Sequence, residues 1–105
     1  HLQTLRKAKI DFEKIRMIQK GTQIPLVLHG SSGIPNKIRR KLSRETNIAK
    51  FNIGTELRMV AGNSLRNNFN NNKKEFDKLK LIKPTIIKIK KETKKIISNF
   101  GPYHE

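Results

Sequence analysis

The sequence predicts an alternating α/β fold built on parallel strands, and three observations predict it. Two short apolar runs, Ile24–Leu28 and Ile48–Ile53, are nearly continuous rather than alternating, as strands covered on both faces are. Each run ends in a polar, glycine-containing turn that leads into a stretch with helical periodicity. The resulting order, helix, strand, helix, strand, helix, helix, requires crossover connections between the strands. Two parallel strands cannot cover both of their own faces, pair their own edges or close a barrel. The chain alone is therefore expected to be incomplete, with a portion of a (β/α)8 barrel a plausible architecture.

Each element has a local cause. Asp11 can cap a helix over Phe12–Lys20, with Phe12, Ile15 and Ile18 on one face and Gly21 as its stop. Gly21-Thr22-Gln23 is a loop before the first strand. Pro35–Thr46 reads as a basic helix with Ile38 and Leu42 inward. Thr55 or its neighbour starts another helix, in which Leu57, Val60, Ala61, Ser64 and Leu65 recur at helical spacing. Asn67–Lys74 holds five asparagines and no apolar stripe, and reads as a loop or flexible insertion. Pro84 is expected to open a last helix with Ile86, Ile89, Thr93, Ile96 and Phe100 on one side, ended by Gly101.

Composition narrows the function classes. There is no cysteine, so neither a disulfide framework nor a thiolate metal site is available. No apolar run approaches the roughly 20 residues that span a bilayer, and no signal-peptide core is visible. The expectation is a cytoplasmic protein with no membrane partner. The first residue is His1 rather than methionine, so the natural start is expected to lie upstream. The net charge of +16, from 24 Lys+Arg against 8 Asp+Glu, would ordinarily suggest nucleic acid. Here the basic residues are scattered over the polar faces of several segments, and no aromatic residues are interleaved for base stacking. Nucleic acid is thus the weaker reading, kept as a basic binding remnant without catalysis.

Chemistry concentrates at the two strand ends. The block Pro25-Leu26-Val27-Leu28-His29-Gly30-Ser31-Ser32-Gly33-Ile34-Pro35 delivers an imidazole, close-approach glycines and hydroxyls to the carboxyl end of a strand, where barrel enzymes place their sites. A lone histidine there is more often structural, yet neutral imidazole is also the commonest metal ligand. Gly30, Ser32 and Gly33 suit an oxyanion, although a bare Gly-Ser-Ser-Gly is a weak signal. The second block, Lys50-Phe51-Asn52-Ile53-Gly54-Thr55-Glu56-Leu57, supplies an amide, a glycine and a hydroxyl; the bland reading of Thr55 is a helix cap. On adjacent strands the two sets would lie side by side.

These two blocks resemble the seventh and eighth strands, with their loops, of the class II fructose-bisphosphate and tagatose-bisphosphate aldolases, which are zinc-dependent (β/α)8 barrels. His1 lies ten residues before Asp11-Phe12, which is similar to the spacing of a zinc-binding histidine in that family. The resemblance covers essentially the whole chain and is densest from His1 to Arg58. It implies that residues 1–105 are the C-terminal part of one barrel domain, its last two strands with their helices, incomplete as a barrel. It implies that His1 and His29 are zinc ligands, with a monovalent cation as a second candidate cofactor. It implies that Gly30, Ser32, Asn52, Gly54 and Thr55 hold the phosphate of dihydroxyacetone phosphate, with Asn52 near its reacting end. The implied reaction is reversible aldol cleavage of a ketose bisphosphate to dihydroxyacetone phosphate and glyceraldehyde 3-phosphate. Family members are homo-oligomers as full-length proteins. The third zinc ligand and the acidic proton carrier come from earlier strands of the family's barrel. No catalytic acid or base is therefore assigned within this chain, and the isolated chain is expected to be inactive. The sequence departs from the family at Leu2, where a glycine is usual, at Ser31, in one extra residue between Pro35 and Asn52, and at Asn47 in place of a helix-ending glycine.

Overall fold

The computed structural model describes residues 9–100. His1 and Gly101, both singled out above, lie outside the described residues. The elements are α1 (Phe12–Gly21), β1 (Leu26–Leu28), a 3-10 turn (Ser31–Gly33), α2 (Asn36–Glu45), β2 (Ile48–Phe51), α3 (Thr55–Asn71) and α4 (Lys78–Phe100). The order is the expected one, and β1 pairs with β2 in parallel through the α2 crossover. The register places Leu26 against Ile48, Val27 against Lys50 and Leu28 against Phe51, with an irregularity between Leu26 and Val27. Both strands are shorter than their apolar runs, because Ile24 and Pro25 precede the first pairing and Asn52 and Ile53 follow the last.

The apolar residues explain how the layers stack. Ile34, Leu42 and Ile48 are buried, and Ile10, Phe12, Ile15, Leu26, Leu28, Ile38 and Phe51 close around them. The side chains of β1 alternate, so Leu26 and Leu28 turn to the helices while Val27 stays about half exposed. Asp11 caps α1 as expected, its carboxylate accepting the Lys14 N–H at 3.1 Å. The inward face of α1 differs from the expected one at a single position. Ile18 is exposed, and Gln19 turns inward to accept the Asn47 N–H through Oε1. Asn47 in turn donates to the Ile24 carbonyl at 3.0 Å, so this amide pair ties α1 to the start of both strands.

The C-terminal helices correct three expectations, the third being the inward place of Ile86. The asparagine run is helical to Asn71 rather than a loop, and α4 begins at Lys78 rather than at Pro84. Asp77 caps α4, accepting the Leu79 N–H at 2.9 Å, and Pro84 lies inside the helix. A proline there forgoes one helical hydrogen bond and costs about 3 kcal/mol in an isolated helix. Tertiary contact offsets that cost. Ser64 and Thr85 share a buried hydroxyl pair at 2.8 Å, and Asn68 donates to the Leu81 carbonyl at 2.8 Å and to Thr85 Oγ1 at 3.1 Å. The buried line of α4 therefore runs through Thr85 and Ile96, while Ile86 is exposed. Phe100 stacks on Phe51 with ring centroids 4.3 Å apart, which brings the end of α4 to the end of β2.

Two substitutions test this division between an apolar core and a polar helix seam. Leu42→Ala should destabilise the chain by about 3 kcal/mol, the usual cost of an unfilled core cavity. Thr85→Val, which leaves the Ser64 hydroxyl and Asn68 amide with fewer partners, should cost about 1–2 kcal/mol. Urea denaturation followed by circular dichroism reads both.

Candidate active site

The ladder between the strands does not stop where the strands do. The Asn52 N–H donates to the Leu28 carbonyl at 2.9 Å, and the Ser31 N–H donates to the Asn52 carbonyl at 3.2 Å. These two bonds carry the register into the loops and set the two polar blocks side by side. Gly30 then turns the chain with φ 69° and ψ 27°, a left-handed conformation that a Cβ disfavours. Ser31 closes the turn by donating its hydroxyl to the Leu28 carbonyl at 3.1 Å.

Six of the seven residues that the resemblance assigned, His29, Gly30, Ser32, Asn52, Gly54 and Thr55, line one cavity of about 330 Å³ together with Ile53 and Arg58, whereas Gly33 does not. His1, the seventh, is not among the described residues. The Asn52 amide nitrogen lies 2.9 Å from His29 Nδ1 and donates to it where Nδ1 is unprotonated, so the imidazole is oriented by the neighbouring strand end. Ser32 is buried, and its Oγ accepts the Gly54 N–H at 3.2 Å and the Glu56 N–H at 3.1 Å. Ser32 thereby caps α3 from the other loop, a role that the bland reading gave to Thr55, while the helix does start at Thr55 as expected. With its oxygen engaged, the Ser32 hydroxyl keeps its hydrogen to donate. Thr55 is similar, because its Oγ1 accepts from Arg58 Nη2 at 3.0 Å.

Arg58 escaped the sequence reading as a site residue. Its guanidinium folds back over Gly54, and a Cβ at position 54 would lie 2.8 Å from Nη1. The glycine is thus the gap through which an arginine one turn into α3 reaches the cavity. Among the described residues the cavity lining contains no carboxylate. Two hydroxyl hydrogens, a guanidinium, an amide and the positive end of a 17-residue helix favour an anion there.

The acid nearest the site is turned away from it. Glu56 is buried and paired with the fully buried Arg39 of α2, whose Nη2 reaches Glu56 Oε2. The same guanidinium donates from Nε to the Ser31 carbonyl at 3.2 Å and from Nη2 to the Ser32 carbonyl at 3.1 Å. Nothing in the sequence marks Arg39 out from the other cations of a basic helix.

His29 has the donor type of a zinc ligand. Among the described residues, however, no group of three His, Cys, Asp or Glu side chains could hold a metal ion. The described part of the chain therefore offers one imidazole and does not by itself form a metal centre. Among the described residues no helix is long and apolar enough to cross a membrane.

Fold and site together define an α/β protein with an anion-favouring cradle at the carboxyl ends of two adjacent parallel strands. The family model for class-II fructose-bisphosphate aldolase matches residues 1–104. Proteins named fructose-bisphosphate aldolase from Staphylococcus aureus strains Mu50 / ATCC 700699, MW2 and N315 are each 36% identical over 94 residues. The matched stretch is 89% of this chain and 32% of each relative, so the chain spans about a third of their length. No solved structure matches significantly. The chain belongs to the class-II fructose-bisphosphate aldolase family. That membership does not favour the alternative of a nucleic-acid-binding remnant.

The conformation at Gly30 gives a direct check on the turn. Gly30→Ala should destabilise the chain by about 1–2 kcal/mol, the cost of a Cβ in the left-handed region. Chemical denaturation measures it.

Proposed function

We propose that this chain is the phosphate-gripping portion of a class II ketose-bisphosphate aldolase, and that residues 1–105 form the C-terminal part of its single (β/α)8 domain. The observation that supports this most is the carboxylate-free cavity shared by His29, Ser32, Asn52, Thr55 and Arg58 at two paired strand ends. In the complete protein the reaction is reversible aldol cleavage of fructose- or tagatose-1,6-bisphosphate to dihydroxyacetone phosphate and glyceraldehyde 3-phosphate. Gly30, Ser32, Gly54 and Thr55 receive the phosphate of the triose half, and Asn52 holds its reacting end beside His29. Such a grip works by positioning, fixing the carbon that forms or breaks its bond against the aldehyde. Zinc dependence is proposed for the complete protein, with His29 and His1 among the ligands. The isolated chain is inactive in this reading, and the complete protein is a cytoplasmic homo-oligomer.

The test uses a complete protein that carries this chain, assayed for zinc-dependent cleavage of both bisphosphates. His29→Ala should lower kcat/KM by more than about 10²-fold, beyond what loss of an outer-shell partner costs. Ser32→Ala removes one charge-assisted hydrogen bond worth about 1.5–3 kcal/mol, and should weaken kcat/KM by roughly tenfold to a hundredfold. Unchanged turnover in His29→Ala would refute the ligand assignment. Absence of cleavage of either bisphosphate in the parent would refute the function.

A further inference from the structure

Arg39 lines no part of the cavity, yet beyond the strand-end bonds of Asn52 the buried connections between the two loops that form it share a ring with this residue. Its fork joins the Ser31 and Ser32 carbonyls to the Glu56 carboxylate. The Glu56 and Gly54 amides then return to Ser32 Oγ, closing a ring of hydrogen bonds between α2, the first loop and the start of α3. We infer that Arg39 is the positioning residue of the phosphate cradle, setting the spacing and orientation of its two loops without reaching the anion. The inference rests on the phosphate reading of the cavity and names what holds that cavity in shape.

Three physical points carry it. A carbonyl oxygen facing the cavity would repel an anion, and Arg39 draws the Ser31 and Ser32 carbonyls to itself. In a trans peptide the N–H points opposite to the C=O, so the following Ser32 and Gly33 N–H groups face away from the guanidinium. The planar fork is also needed, because a lysine ammonium is a point charge and cannot span two carbonyls and a carboxylate in the same geometry. Finally, a buried ion pair is weak evidence for stability, and Arg39 Nη1 has no hydrogen-bond partner among the described residues. Stability alone therefore does not account for a charge in this place.

The test uses the full chain, labelled with ¹⁵N, with amide hydrogen exchange and inorganic phosphate titration read on the same spectra. Arg39→Lys keeps the charge and loses the fork. Because Arg39→Met alone would take the paired cation from the buried Glu56 carboxylate, the second variant is the pair Arg39→Met with Glu56→Leu, which removes both charges. In both variants the Asn52 amide, bonded across the strands, should keep its protection. The Gly54 and Glu56 amides should exchange at least about tenfold faster, and phosphate affinity should fall about tenfold, the scale of losing an outer-shell partner. Wild-type protection at Gly54 and Glu56 in both variants would overturn the inference. So would joint loss of protection at Asn52, Gly54 and Glu56, which would make Arg39 a residue of the fold at large. A wild-type chain whose cradle amides ignore phosphate would refute the phosphate reading itself. Phosphate binding unchanged by the variants would refute the role of Arg39 alone.

Discussion

A guanidinium removed from water must have its hydrogen-bonding demands met by whatever surrounds it, and a carboxylate beside it must be held in register. Arg39 and Glu56 are both buried, one on α2 and the other in the first turn of α3. Satisfying them draws in the Ser31 and Ser32 carbonyls, and Ser32 then caps α3. Neither loop can shift without exposing a charge or orphaning a donor. The arrangement of the cavity follows from that constraint more than from any residue lining it.

The rest of the molecule supplies the platform. Packing of Ile34, Leu42 and Ile48 under the sheet fixes where the strands lie, and the parallel register fixes which loop residues face one another. The ladder bonds of Asn52 and Ser31 pass that register into the loops. Apolar burial thus sets the strands, while a polar network sets the chemistry above them. The α3–α4 seam uses polar glue as well, with Ser64, Asn68 and Thr85 at its centre and Ile96 and the Phe51–Phe100 stack closing its far end.

What could be read from the sequence was local or periodic. The strand-end blocks, the Asp11 cap and the inward positions of α3 announce themselves through spacing and residue type. Their coming together in one cavity follows from two adjacent strands. The misses all have one cause, tertiary contact overriding local preference. An asparagine run looks like a loop until Asn68 is seen bonding across to α4. Pro84 looks like a helix start because the capping aspartate lies seven positions earlier and only the packing of Thr85 explains why the helix runs through the proline. Ile18 looks inward by period, but the inward place on α1 belongs to Gln19, whose partner is distant in sequence. Arg39 is the clearest case, since only the positions of Ser31, Ser32 and Glu56 distinguish it from its basic neighbours. Arg58 was hidden similarly, because its reach to the cavity depends on the gap left at Gly54.

The central claim is that the two strand ends form one phosphate-binding cradle. A crystal structure of the chain grown with saturating inorganic phosphate tests it most directly. The predicted result is a phosphate within hydrogen-bond distance of both Ser32 Oγ and Thr55 Oγ1, with the Arg39–Glu56 pair intact beneath it. A cradle without phosphate, with the anion bound only along the basic face of α2, would contradict it.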